Sequence, residues 1–122
     1  MKAAFAVWSG RISPVFDVSR RVVVLEIRND EIVARTEETL QDEHPVGKIR
    51  RLVQLGIRTL VCGAISSHLA DLASLQGIRT IPFTAGEVEE VIQAFLTRGL
   101  PKREMTMPGC CGWRRRFRGR CR

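Results

Sequence analysis

The sequence contains no tyrosine, only two histidines, and no apolar run long enough to span a bilayer. Its first residues, MKAAFAVW, alternate in the manner of a strand and lack the apolar core and small-residue cleavage site of a signal peptide. We therefore expect a cytoplasmic protein that contacts no membrane. In that compartment free cysteines are inert, redox-active or metal-binding rather than paired in disulfides.

Familiar catalytic motifs are missing as well. The chain has no GxGxxG, no phosphate-binding P-loop, no HExxH and no GxSxG. So few histidines, and no tyrosine, leave few candidates for general acid–base chemistry. Three carboxylates near predicted strand ends, Asp17, Glu26 and Asp71, are the one set that a metal-dependent nuclease could use, and their spacing does not single them out. No catalytic set is therefore evident in the sequence.

Positive charge is concentrated at one end of the chain. Residues 1–101 balance twelve Lys and Arg against twelve Asp and Glu, whereas residues 102–122 hold eight basic residues and only Glu104. The net charge of +7 therefore belongs to the tail. A neutral body with a basic tail does not indicate a nucleic-acid-binding face on the body itself.

Hydrophobic periodicity predicts an α/β fold. Lys2–Trp8 is typical of a buried strand, and Val22–Arg28 with Glu31–Thr39 predict a hairpin around Asn29-Asp30. From Pro45 onwards apolar residues recur at helical spacing and alternate with two short apolar strands. The predicted order is β-β-β-α-β-α-β-α, which gives a five-stranded mixed sheet covered by helices. The segment Thr84–Glu87, TAGE, matches a capping box for the last helix.

A ligand is expected beyond the carboxyl ends of the parallel strands. Three segments follow such ends: WSGRISP, CGAISSH and PFTAGE. The second and third lead into helix N-termini, whose free amides favour an anion. The candidate cofactor-binding residues are Ser13, Pro14, Arg20, Cys62, Gly63 and Ser66.

Each of these residues also has a purely structural interpretation. A strand cysteine such as Cys62 is either a thiolate ligand or a small apolar core residue. Gly63 and Ser66 either offer amides to a ligand or make a turn and cap a helix. Arg20 either clamps an anion or pairs with a surface carboxylate.

Three sequence segments carry a family resemblance. They are W-x-G-R-I-S-P-V-F-D-x-S-R from Trp8, G-I-x-T-L-V-C-G-A-I-S from Gly56, and G-I-x-x-I-P-F-x-x-G-E-V-E-E-V from Gly77. Together they resemble the dinitrogenase iron-molybdenum cofactor biosynthesis family, which includes NifX-type cluster carriers. The resemblance covers roughly residues 1–100.

The resemblance implies a ribonuclease-H-like fold and a function related to nitrogen fixation. It implies a non-catalytic carrier or assembly accessory that binds an iron–sulfur cluster or an iron-molybdenum cofactor precursor. Its partners would be the proteins that donate and accept the metallocluster. Residues 1–100 would form this domain.

Residues 101–122 would then be a basic tail, expected to be disordered. Cys110 and Cys111 are adjacent, and Cys121 follows ten residues later, which is not the CxxC spacing of a structural zinc site. Three interpretations stay open for the tail. It could complete a labile metal site together with Cys62, it could bind nucleic acid through Trp113, Phe117 and the arginines in a nucleic-acid-associated or regulatory protein, or it could be a solvated end.

Overall fold

The computed structural model describes residues 1–40 and 44–97. Its strands are β1 (Lys2–Trp8), β2 (Arg11–Ile12), β3 (Arg21–Arg28), β4 (Glu31–Thr39), β5 (Ile57–Val61) and β6 (Arg79–Ile81). Its helices are α1 (Pro45–Gln54), α2 (Ser67–Leu75) and α3 (Val88–Thr97), and a short 3-10 helix, Phe16–Val18, precedes β3. The fold is therefore a mixed α/β architecture in which helices alternate with strands in the second half.

The sheet is mixed in strand direction. Its order is β4-β3-β1-β5-β6, with β2 paired to the end of β1. The β1–β5 and β5–β6 pairs are parallel, whereas β1–β3 and β3–β4 are antiparallel. The parallel pairs align the carboxyl ends of β1, β5 and β6 at one edge of the sheet, which is where the sequence predicts a ligand.

The prediction of five strands was wrong, because the described residues form a six-stranded sheet. The additional strand arises at Ser9-Gly10, where both residues have positive φ, 51° and 77°. Two successive positive φ angles make the tight turn that suits a hairpin. The chain therefore folds back at once, and Ile12 pairs with Val7. The predicted hairpin at Asn29-Asp30 is confirmed and uses the same pair of positive φ angles.

Helices cover both faces of the sheet. On one face α1 and α2 contribute Ile49, Leu52, Leu69 and Ala73 to a buried cluster. On the other face α3 contributes its apolar stripe to a second cluster that contains Phe5. The two clusters use alternate residues of β1, since successive strand side chains point to opposite faces. The outer strand β4 stays largely exposed.

Helix ends agree with the sequence at two places and differ at one. Gly56 and Gly77, with φ of 80° and 82°, follow the last turns of α1 and α2 as predicted. The predicted cap of α3 was wrong: the Val91 amide donates to the Glu87 carbonyl, so α3 begins after Glu87. Thr84 is buried instead, with its hydroxyl 3.5 Å from the Ile81 carbonyl. None of the helices in the described ranges has the length and apolar character needed to cross a membrane.

Candidate functional site

The loops after β1 and β5 are joined directly by backbone hydrogen bonds. The Ala64 amide donates to the Pro14 carbonyl at 2.7 Å, and the Phe16 amide donates to the Ala64 carbonyl at 2.7 Å. The loop after β6 joins them, since the Phe83 amide donates to the Gly63 carbonyl at 2.9 Å. The three segments that the sequence grouped therefore do meet at one edge of the sheet.

Gly63 makes this close approach of the loops geometrically possible. A Cβ atom at this position would lie 2.4 Å from both the Ser13 and the Pro14 carbonyl oxygens. Those oxygens belong to backbone that is itself hydrogen-bonded, so neither could move away cheaply. The structural role of Gly63 is thus to let the loop after β1 lie against the end of β5.

Cys62 lies in the core behind this contact. Its side chain is fully buried in the same cluster as Phe16 and Leu69. Burial, with a smaller contribution from the negative charge of Asp17, raises the pKa of the Cys62 thiol to about 12. Ligation of a metal needs a thiolate. Cys62 could therefore act as a ligand only after the loop opened and the thiol lost its proton.

A carboxylate of the protein already lies at the N-terminus of α2. The Ser66 amide donates to the Asp17 carboxylate at 3.0 Å, and the Ser66 hydroxyl accepts from the Leu69 amide at 3.4 Å. Ser66 is thus the N-cap of α2. Asp17, in the 3-10 helix Phe16–Val18, supplies the negative charge that the helix dipole favours.

A buried lysine holds the same loop from another side. Lys48, on α1, is 3% exposed, and its ammonium donates to the Asp17 carbonyl at 2.6 Å and, less closely, to the Phe16 carbonyl at 3.4 Å. The ammonium also lies 5.9 Å from the centre of the Phe16 ring. Burial, assisted by the positive charge of Arg20, lowers the pKa of Lys48, while Asp17 opposes the shift.

The open part of this edge is a cleft of about 700 Å³ beside the loop after β1. Trp8 and Val18 present exposed apolar surface there, 66% and 73% exposed. Arg20 lines the cleft, and its guanidinium forms no hydrogen bond or ion pair with the described part of the chain. Arg21 also lines it, but is paired with Glu37 at 3.4 Å. The cleft combines apolar walls with the positive charge of Arg20.

The predicted site residues divide into two groups. Ser13, Pro14 and Arg20 line the cleft, although Ser13 is buried, with its hydroxyl 2.7 Å from that of Ser19. Cys62, Gly63 and Ser66 do not line it; they form the packed layer behind and beside it. Within residues 1–40 and 44–97 no three His, Cys, Asp or Glu side chains come together as a metal site would require.

The predictions for the tail lie outside the described residues. They concern Cys110, Cys111 and Cys121 as metal ligands, the domain boundary at residue 100, and the nucleic-acid alternative. All of these stay predictions.

Two features of the site were not identified from the sequence. Trp8 was included in the segment WSGRISP but not proposed as a site residue, although a large aromatic residue just before a Ser-Gly turn is a usable signal for an exposed side chain at a loop. Lys48 gave no signal, because a lysine on an amphipathic helix is normally solvated. Its burial follows from the position of the 3-10 helix, which local sequence does not encode.

The fold and the cleft define a class: an α/β protein with a mixed sheet and an open cleft at the carboxyl end of its first strand. Residues 1–98 match the family model of the dinitrogenase iron-molybdenum cofactor family. The chain belongs to that family. A comparison with curated proteins found no match.

Solved structures share the fold at low sequence identity. The crystal structure of a protein named PH0822 has a TM-score of 0.76 and 19% identity, over 83% of this chain and 95% of that one. A candidate dinitrogenase from Methanocaldococcus jannaschii has a TM-score of 0.67 and 20% identity, over 86% and 96% of the two chains. A candidate NifB protein from Thermotoga has a TM-score of 0.62 and 18% identity, over 88% and 97%.

Proposed function

We propose that the protein binds and carries an iron–sulfur cluster, or a precursor of the iron-molybdenum cofactor, without catalysing a reaction on it. Membership of the cofactor family supports the cargo class. The observation that carries the proposal is the cleft of about 700 Å³, in which the guanidinium of Arg20 stands among exposed apolar side chains. The proposal includes the ribonuclease-H-like topology implied by the sequence resemblance, and a cytoplasmic location.

The chemistry of the cleft suits recognition of an anionic cargo. A thiolate-ligated iron–sulfur cluster carries net negative charge, which a guanidinium can neutralise while donating hydrogen bonds. The apolar walls formed by Trp8 and Val18 suit the sulfur-rich surface of such a cluster. No described carboxylate forms an ion pair with Arg20, and its positive charge would face the cargo.

Recognition of this kind does not require the cleft to supply metal ligands. The cargo would keep small-thiol ligands, or exchange them for cysteines of the tail or for Cys62 once its loop opens. Ser13 and Pro14 shape the wall of the cleft, and Gly63 and Ser66 hold that wall in place. The partners would be proteins that deliver the cluster and proteins that take it on.

The test is anaerobic transfer of a small-thiol-ligated [4Fe–4S] cluster to the full chain, followed by gel filtration. The measurements are iron, sulfide and visible absorbance in the protein peak. We expect the unmodified chain to retain the cluster. We expect Arg20→Gln to weaken retention by about tenfold or more, the usual cost of losing one charge-assisted hydrogen bond. Arg58→Gln, which removes an exposed arginine on β5, is the matched control and should have no effect.

Two further variants locate the ligands. The Cys62→Ser chain should retain the cluster if recognition at the cleft suffices. If this variant loses the cluster, Cys62 is a ligand. A chain with serine at positions 110, 111 and 121 tests the tail in the same way. If the unmodified chain elutes without iron, the carrier function is wrong.

A further inference from the structure

The edge strand β4 is the most solvent-exposed strand among the described residues. All nine of its residues are exposed except Glu38, which is partly buried. At the opposite edge β6 has only three residues. Long exposed edge strands are surfaces for pairing with another strand, and proteins normally cover or interrupt them. The part of β4 that is neither covered nor interrupted by the register shift at Val33 is residues 34–39, and this stretch is open to pairing.

The direction of the free backbone groups of β4 can be derived from its pairing with β3. The Leu40 amide donates to the Arg20 carbonyl at 2.6 Å, so this opposite pair is a hydrogen-bonded one. In an antiparallel ladder hydrogen-bonded and non-hydrogen-bonded pairs alternate. Arg35 lies opposite Leu25, and Glu37 lies opposite Val23, both at non-hydrogen-bonded positions. Their amide and carbonyl groups consequently point away from β3, toward the open edge of the sheet.

We propose that β4 pairs antiparallel with β4 of a second copy of this chain, about a two-fold axis at Thr36. In this register Arg35 of each copy lies opposite Glu37 of the other. The outward amide and carbonyl groups of these two residues form the hydrogen-bonded pairs. The register shift at Val33 ends the regular ladder, so the paired stretch is residues 34–38 of each copy.

Charge selects this register from its neighbours. Sliding the strands by one allowed step places Arg35 opposite Arg35, and sliding them the other way places Glu37 opposite Glu37. Directly opposite like charges destabilise a strand pair, whereas opposite charges stabilise it. Thus, of these three registers, the one centred on Thr36 aligns unlike charges at both symmetric positions, and β4 is self-complementary.

The surrounding ion pairs extend the same alternation. Within one chain Arg35 donates to the Glu89 carboxylate of α3 through its two terminal guanidinium nitrogens, and Arg21 pairs with Glu37. Across the proposed interface the charges would run Glu89, Arg35, then Glu37 and Arg21 of the second copy, alternating in sign throughout. Glu37 and Arg21 also line the cleft, so association would bring Arg35 of the second copy to its rim.

The test is sedimentation equilibrium of the full chain under reducing conditions, which prevents crosslinking through the tail cysteines. We expect a concentration-dependent dimer. R35E and E37R should each weaken it by about tenfold, because two-fold symmetry introduces two like-charge pairs per interface. Mixing the R35E and E37R chains should restore association as a heterodimer to within about threefold of the original affinity. In this heterodimer both facing pairs join a glutamate of one chain to an arginine of the other, whereas each variant alone places like charges opposite each other. R79E, on the other sheet edge, is the charge-reversal control and should change nothing.

A chain that stays monomeric at millimolar concentration overturns the proposal. So does a dimer that persists undiminished in both single variants, or a mixture that fails to form the heterodimer. E89Q separates the interface from the internal ion pair: it removes the partner of Arg35 on α3 and should leave the dimer intact. None of these results depends on whether the cleft binds a metallocluster.

Discussion

The two halves of the candidate site differ in what they allow. On the packed side, Cys62 and Gly63 are buried against the loop after β1, and the thiol there is held protonated. On the open side, Trp8 and Arg20 face a cleft of about 700 Å³. The residue type best suited to ligate a metal is therefore the least accessible, and the accessible residues suit recognition of an anion. The loop after β1 thus packs into the core on one side and forms a wall of the cleft on the other.

The largest expected effect comes from filling the space at Gly63. Gly63→Ala should lower the free energy of unfolding by about 3 kcal/mol or more, since its Cβ would meet two backbone oxygens that cannot move independently. Urea denaturation measures the change. Gly10→Ala is the control, because its Cβ meets no atom within 4 Å and only the positive φ is strained. That variant should cost about 1 kcal/mol. Equal losses of unfolding free energy at the two positions would contradict the close contact between Gly63 and the loop after β1.

Removing the buried ammonium of Lys48 should have the next largest effect. Lys48→Met leaves the Phe16 and Asp17 carbonyls without their donor, at a cost of about 2 kcal/mol. The matched control is Arg50→Met, on the exposed face of the same helix, with an expected change of under about 0.5 kcal/mol. Hydrogen exchange should speed up in the Phe16–Val18 turn of the Lys48 variant. Unchanged exchange there would show that Lys48 does not hold the loop.

The thiol of Cys62 predicts a dependence of stability on alkaline pH. Its pKa is about 12 in the folded chain, against an ordinary value of 9.0 for a solvated thiol, so between these values the folded chain binds more protons than the unfolded chain. The thiol therefore makes its full contribution to the free energy of unfolding below pH 9.0. Above that pH the contribution falls, by at most about 1.4 kcal/mol per pH unit. Comparing the native chain with Cys62→Ala from pH 8.5 to about 10.5 isolates this contribution, because all other titratable groups are present in both chains. Parallel pH profiles would place Cys62 in contact with solvent.

The smallest expected effect concerns the charge that links the loop to α2. Asp17→Asn keeps an oxygen to accept from the Ser66 amide and removes only the negative charge at the helix N-terminus. We expect a loss of about 0.5 kcal/mol that shrinks as salt is added. Thermal unfolding at low and high salt measures it. No loss even at low salt would mean that the hydrogen bond, which the asparagine keeps, and not the charge holds the loop.

Much of the fold was predictable because it depends on local patterns. The Asn29-Asp30 hairpin, the three apolar stripes and the glycines that end α1 and α2 are each encoded within a few residues. The strand β2 was missed because two residues carry no periodicity. The capping box at Thr84 was predicted wrongly because the four-residue motif alone does not determine where the helix begins. The Thr84 amide instead donates to the Cys62 carbonyl at the end of β5.

The candidate site was predictable in place but not in arrangement. That the three loops meet follows from parallel strand direction alone. Which of their residues are accessible does not, because Cys62 and Arg20 are equally plausible as ligand contacts from the sequence. The burial of Lys48 depends on α1 and the Phe16–Val18 turn meeting across 31 residues of chain.

The element order, the mixed sheet, the location of the net charge and the family could be predicted from the sequence, because these depend on composition, hydrophobic period and motif. Contacts between distant segments, in contrast, bury Cys62 in the core, bring Asp17 to the N-terminus of α2, and leave Arg20 lining a cleft without an ion pair to any described residue. The physical reason is that accessibility and pairing are set by which distant segments come into contact, and close contact at Gly63 needs two loops that are far apart in sequence.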